Sequence, residues 1–178
     1  MALSKIDAVN FLTGTIPSGN VANATLNAVT ALPGAIATGK VLQVVYGALG
    51  SQVTTTSSSD QDTGLNANIT PSSTSNKILV QVSHNGVLKY TGASALGVKI
   101  KLFKDTTELD VLSVEAAWNN TSSYQDAGAV TCDYLDSPNT TSQINYKTTF
   151  AAANTSGTNA AIGSAGSLST IVLMEIEA

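Results

Sequence analysis

The sequence contains no arginine, and all eight of its basic residues are lysines. Arginine supplies the planar forks that read guanine edges and clamp phosphates, so its absence argues against nucleic-acid recognition. The formal net charge of -4 acts in the same direction, because a polyanion would be repelled. Cys132 is the only cysteine, which excludes a disulfide within these residues and leaves a small buried apolar residue as its ordinary role. His84 is the only histidine, so one chain cannot assemble the usual zinc site. Charged residues are 11% of the sequence, against roughly 25% in ordinary soluble domains. Ser, Thr, Asn and Gly fill the gap, a composition typical of extracellular and virion β-proteins. No stretch approaches the roughly 18 apolar residues of a membrane span. Met1 to Asp7 also lack the basic start and apolar run of a signal peptide. The expectation is a protein made in a cytoplasm, with no cofactor, no metal, no nucleic-acid partner and no membrane insertion.

What is present is enough for a core. Hydrophobic residues are 43% of 178, a content that suits one domain with an appendage. The pattern changes near Thr38-Gly39, so the expected division is an attachment arm over residues 1–38 and a body over residues 39–178. Within the arm, Val21, Thr25, Ala28 and Leu32 share one helical face, with Leu26 and Val29 on its shoulder. Ser18 or Asn20 can cap its start and Pro33-Gly34 stops it. The face is narrow and marginal alone, and an extended arm is the competing reading. In either form, Val21, Leu26 and Leu32 are candidate oligomer contacts.

From Gly39 onward the period is two. Lys40 to Tyr46 reads as a strand rich in Val and Leu. Lys77 to His84 sets Ile78, Val80 and Val82 on one face. Val98, Ile100 and Leu102 alternate with lysines, Leu109 to Glu115 follows the Lys104-Asp105 turn, and Val130, Cys132 and Tyr134 form another face. Ile144, Tyr146, Thr148 and Phe150 do the same. Turn-rich clusters lie between, among them TTTSSSDQDTG and TPSSTSN. Short strands at this spacing without helices between them predict an all-β protein, a jelly-roll-like antiparallel sandwich. Leu168 to Ile176 is apolar on both faces, which predicts burial centrally or between subunits. Ile171, Leu173 and Met174 are therefore further candidate oligomer contacts.

Three segments carry a resemblance: GKVLQVV (Gly39 to Val45), ITPSSTSNKILVQV (Ile69 to Val82) and LSTIVLMEIEA (Leu168 to Ala178), together with the MALSKID start. The chain resembles short fibre-like proteins of tailed phages of marine bacteria and cyanobacteria. The resemblance implies a virion protein, homotrimeric, of the tail-fibre or capsid-associated kind. Its implied partners are its own copies and, through residues 1–38, a tail adaptor or the capsid shell.

Few residues promise chemistry. A Ser-His-Asp triad would need His84, and no G-x-S-x-G elbow surrounds a serine. Asp60 and Asp62 before Gly64 are a fragment of a calcium loop without its terminal glutamate, and a solvated turn is the simpler reading. Gly92, Gly97 and Gly128 are isolated and fit turns. Glycoside hydrolysis needs carboxyls across a cleft; strict alternation puts Glu108 and Asp110 on one face and Glu115 on the other, which reads as exposed strand charge. A polysaccharide-degrading tail protein is thus the weakest reading, and the chain is expected not to be an enzyme. Glycan binding without hydrolysis has a better candidate. Trp118, Asn119, Asn120 and Tyr124 bracket a polar loop in which rings can stack on sugars and amides can meet hydroxyls. The competing reading has Trp118 closing one end of the core.

Overall fold

In the computed structural model the chain divides between Thr38 and Gly39. The residues described are 39–89, 96–119, 125–153 and 160–178, without the side chains of 96, 119, 125 and 126. The arm, with Val21, Leu26 and Leu32, lies outside the described residues.

Among these residues the strands are β1 (Val41–Leu49), β2 (Val53–Thr55), β3 (Gln61–Ile69), β4 (Lys77–Lys89), β5 (Leu96–Lys104), β6 (Thr107–Asn119), β7 (Gln125–Asp136), β8 (Ile144–Ala152), β9 (Ala160–Ile162) and β10 (Ser169–Ile176). One sheet runs β1-β10-β4-β7, the other β3-β8-β5-β6. Every pairing is antiparallel.

The short strands β2 and β9 are continuations of longer ones. β10 pairs with β4 from Lys77 to Ser83, and β9 resumes along the same edge at Leu88 and Lys89. Likewise Leu49 of β1 faces Ser169, and Val53 of β2 faces Ile162. A kink at Gly163 and the 3-10 turn Ser164–Gly166 separates β9 from β10. With each interrupted pair counted as one strand, the sheets read 1-8-3-6 and 2-7-4-5. That is the jelly-roll order, in which two Greek keys fold onto each other.

Alternation explains the packing. Ile78, Val80 and Val82 of β4, Val98, Ile100 and Leu102 of β5, and Ile144, Tyr146 and Phe150 of β8 are all buried between the sheets. Strand β3 was hidden in sequence. Its inward residues are Thr63, Leu65, Ala67 and Ile69, and its outward ones include Gly64, Asn66 and Asn68, so half of it reads as turn. Gly97 and Gly128, expected in turns, lie inside β5 and β7; Gly92 is outside the described residues. β6 pairs with β5 through repeated register shifts, so strict alternation cannot assign its faces from Glu108 to Glu115.

One glycine is required by the close approach of the two sheets at the β1–β3 corner. A Cβ on Gly47 would overlap the carbonyl oxygen of Asn66 and come within 2.8 Å of Ile171 Cγ2. Backbone cannot rotate aside as a side chain can. Gly47→Ala is expected to destabilise the body by about 3 kcal/mol, read as a lower denaturant midpoint; an unchanged midpoint would show that the corner can open.

Candidate functional site

His84 is fully buried in β4. Its Nε2 lies 2.9 Å from Thr148 Oγ1 on the facing sheet. Thr148 Oγ1 is 2.6 Å from Thr63 Oγ1, which also reaches the Thr148 carbonyl at 3.1 Å and accepts from the Leu65 N–H at 3.0 Å. The pattern closes if Thr63 donates to the carbonyl, Thr148 donates to Thr63, and His84 donates from Nε2–H. Nδ1 then remains an acceptor, and among the described residues it has no hydrogen-bond partner. Burial holds the imidazole neutral, with its pKa pushed down to about 4. This row crosses the sandwich between two apolar clusters, one around Leu65, Val80 and Leu173, the other around Val87, Phe150 and Ile162. The ring has no exposed surface, and its hydrogen-bonded partner among the described residues is Thr148.

Of the acidic candidates, Asp60, Asp62 and Glu108 are tied to lysines on the outer face of the β3-β8-β5-β6 sheet. Asp60 lies between Lys99 at 3.1 Å and Lys101 at 2.9 Å. Burial raises its pKa, but the two ammonium groups outweigh that and hold the carboxylate below its ordinary range. Lys101 also meets Glu108 at 2.7 Å. Asp62 belongs to β3, where it meets Lys147 at 3.1 Å and accepts from the Gly64 N–H at 2.8 Å. The expected solvated turn at Asp60 and Asp62 is thus a strand start bound to lysines. Among the described residues no group of three His, Cys, Asp or Glu could hold a metal ion. Cys132 is half-buried, 3.9 Å from Asp110 Oδ2. Burial first, then Asp110 and Asp133, push its thiol up, which disfavours the nucleophilic thiolate.

Trp118, next to last in β6, has 48% of its surface exposed, so it does not close the core. Asn120, Tyr124 and the side chain of Asn119 lie outside the described residues, so the proposed glycan loop is seen only at this one ring.

β10 is central in its sheet, between β1 and β4. Ile171 and Leu173 are wholly buried in the chain's own core, which removes them from the expected oligomer contact. Met174 points the other way. It sits in a cross-strand row with Val44 on one side and Leu79, then Leu135, on the other. Val44 is 59% exposed and Leu135 51%. Sequence reasoning found the outer half of this strand and missed that the row runs on through β1, β4 and β7. The alternation of Val44 and Tyr46 with Val45 was the available signal.

A second cluster escaped it altogether. Glu175, fully buried at the end of β10, accepts four hydrogen bonds from Gln43, Ser72 and Asn76.

The fold and these surfaces define an all-β jelly-roll sandwich. No family model and no curated protein matches the chain. Among solved structures it is similar to the infectious bursal disease virus VP2 subviral particle, at 11% identity and a TM-score of 0.40, over 76% of this chain and 39% of that one. It is also similar to the structure of the infectious bursal disease virus Gx strain, at 13% identity and a TM-score of 0.39, over 76% of this chain and 36% of that one. The chain spans well under half the length of either.

Proposed function

We propose that the chain is a non-enzymatic structural protein of a tailed-phage virion, a fibre or knob built from three copies. The observation that carries a structural role is the contrast between its groups: the only histidine is sealed in the core and Asp60, Asp62 and Glu108 are bound to lysines, while an apolar row of Val44, Met174, Leu79 and Leu135 crosses the outside of the β1-β10-β4-β7 sheet. The virion assignment is supported by the resemblance of the Gly39, Ile69 and Leu168 segments to short phage fibre-like proteins. Antibody-labelled imaging of intact particles tests it. Label at the tail is the expected result, label over the shell would favour a capsid decoration protein gripping through residues 1–38, and purified particles without the protein would sink both.

Host-surface adhesion is supported by the exposed ring of Trp118. Trp118→Ala is expected to weaken binding to host polysaccharide about tenfold, a loss of about 1.4 kcal/mol, while the melting temperature stays unchanged. Equal binding by the variant in a glycan-array or pull-down measurement would remove Trp118 from the contact.

A further inference from the structure

We propose that the end of the sandwich bearing Trp118 is the end that meets surface polysaccharide, and that the opposite end, where the chain enters and leaves the body, is the end that is held. The inference rests on the adhesion reading above and gives that contact a place in the fold.

Strand register fixes the two ends. Val41 of β1 pairs with Ile176 of β10, and Ile176 pairs with Lys77 of β4. The Lys40 carbonyl accepts from the Glu177 N–H at 2.9 Å, and the two side chains meet at 3.3 Å. The chain thus enters and leaves the body side by side, so a partner that holds the flanking chain holds the body by this end. The same end is where the sheets are tied to each other. Asp136, paired with Ile78, takes Lys104 at 2.9 Å and the Tyr146 hydroxyl at 2.6 Å from the facing sheet. Glu175 lies here too, gathering Gln43, Ser72 and Asn76.

β4 is 13 residues long. At about 3.3 Å per residue its far end lies about 40 Å from the entry. β4, β6 and β8 finish at that end, and β5, β7 and β9 start there: Lys89 pairs with Gln125 and with Ala160, Leu96 with Asn119, and Val98 with Ala152. The only tryptophan of the chain, half-exposed, therefore stands at the end farthest from the chain's entry. Two strands across the same sheet, about 10 Å away, the Ala152 N–H donates to the Ser57 carbonyl. That bond brings the exposed residues Thr56, Ser58 and Ser59 to the same end. An exposed ring beside a run of hydroxyls is the chemistry of a sugar contact, because the ring covers the apolar face of a pyranose while hydroxyls exchange hydrogen bonds with its rim.

The test places a bulky cap at one end or the other. It uses the full chain with Cys132→Ser and either Ser58→Cys or Thr141→Cys, each biotinylated at the new thiol and capped with streptavidin. Ser58 is exposed at the Trp118 end. Thr141 is exposed at the entry end, just before Ile144 of β8, which pairs with the last residue of β3. Binding is read on an array of bacterial surface polysaccharides. Both uncapped variants are expected to bind as the wild type does. The cap at Ser58 is expected to weaken binding about tenfold or more, and the cap at Thr141 to leave it within about twofold. Binding that survives the cap at Ser58, or that is lost as fully with the cap at Thr141, would overturn the inference and leave the adhesion reading standing. A wild type that binds no polysaccharide on the array would overturn both.

Discussion

Lowering the pH from about 6.5 to about 4 is expected to remove about 3 kcal/mol from the stability of the body, through His84 alone. Burial holds the folded pKa at about 4 against a model value of 6.5. The unfolded chain therefore takes up the proton first as the pH falls. The contribution is complete above 6.5, declines through the interval, and is exhausted below 4. The structural cause is more than desolvation. A second ring proton would appear at Nδ1, where none of the described residues offers an acceptor, while Nε2 is already committed to Thr148. His84→Leu separates these effects. Thr148 keeps Thr63 as its partner, so the variant is expected to stay within about 1 kcal/mol of the wild type at pH 7. Its denaturant midpoint should then hardly change between pH 6.5 and 4. A variant that keeps the wild-type slope there would mean that another group titrates.

The same row shows how far the fold was legible. Strands β4, β5 and β8 were readable because Val, Ile, Leu, Tyr and Phe recur at every second position and the sandwich buries those positions. The row itself was not readable. His84, Thr63 and Thr148 are 64 and 85 residues apart in their bonded pairs, and nothing local marks Thr63 as inward. Strand β3 failed for the same reason, since Thr63 and Ala67 pack inward where a reader expects Val or Ile. β2 and β9 are three residues each, too short for any period to show. The candidate contacts divide along the same line. Met174 could be assigned to an outer face by parity, but the burial of Ile171 and Leu173 depends on which strands flank β10, and register is not written in one strand. Trp118 was a composition signal, and only its exposure in the structure separates a wet ring from a core plug.

The segments that carry the phage-fibre resemblance turn out to share a physical purpose, and it yields the second large expected effect. GKVLQVV contains Gln43, ITPSSTSN contains Ser72 and Asn76, and LSTIVLMEIEA contains Glu175. All four meet in one cluster. Glu175 Oε1 accepts from the Ser72 N–H at 2.7 Å, the Ser72 hydroxyl at 2.7 Å and the Asn76 amide at 2.6 Å, and Oε2 accepts from the Gln43 amide at 2.6 Å. Gln43 also donates to the Thr70 carbonyl, which ties β1 to the loop between β3 and β4. Burial raises the carboxyl pKa, but the four donors outweigh it and hold it down at about 2. Glu175→Ala would leave those donors facing an empty, mostly dry space, and a loss of about 3 kcal/mol or more is expected. Glu175→Gln keeps the volume and one acceptor but turns an N–H₂ toward a donor, and about half that loss is expected. Denaturant unfolding at pH 7 orders the three proteins; equal midpoints for the wild type and Ala would mean that water satisfies the donors. The pH dependence has its own sign. Because the folded pKa is depressed from 4.5, this contribution is complete above about 4.5 and is lost as the pH falls toward 2. That window lies below the one for His84, so acid unfolding should show two successive limbs, with His84→Leu removing the upper and Glu175→Gln the lower.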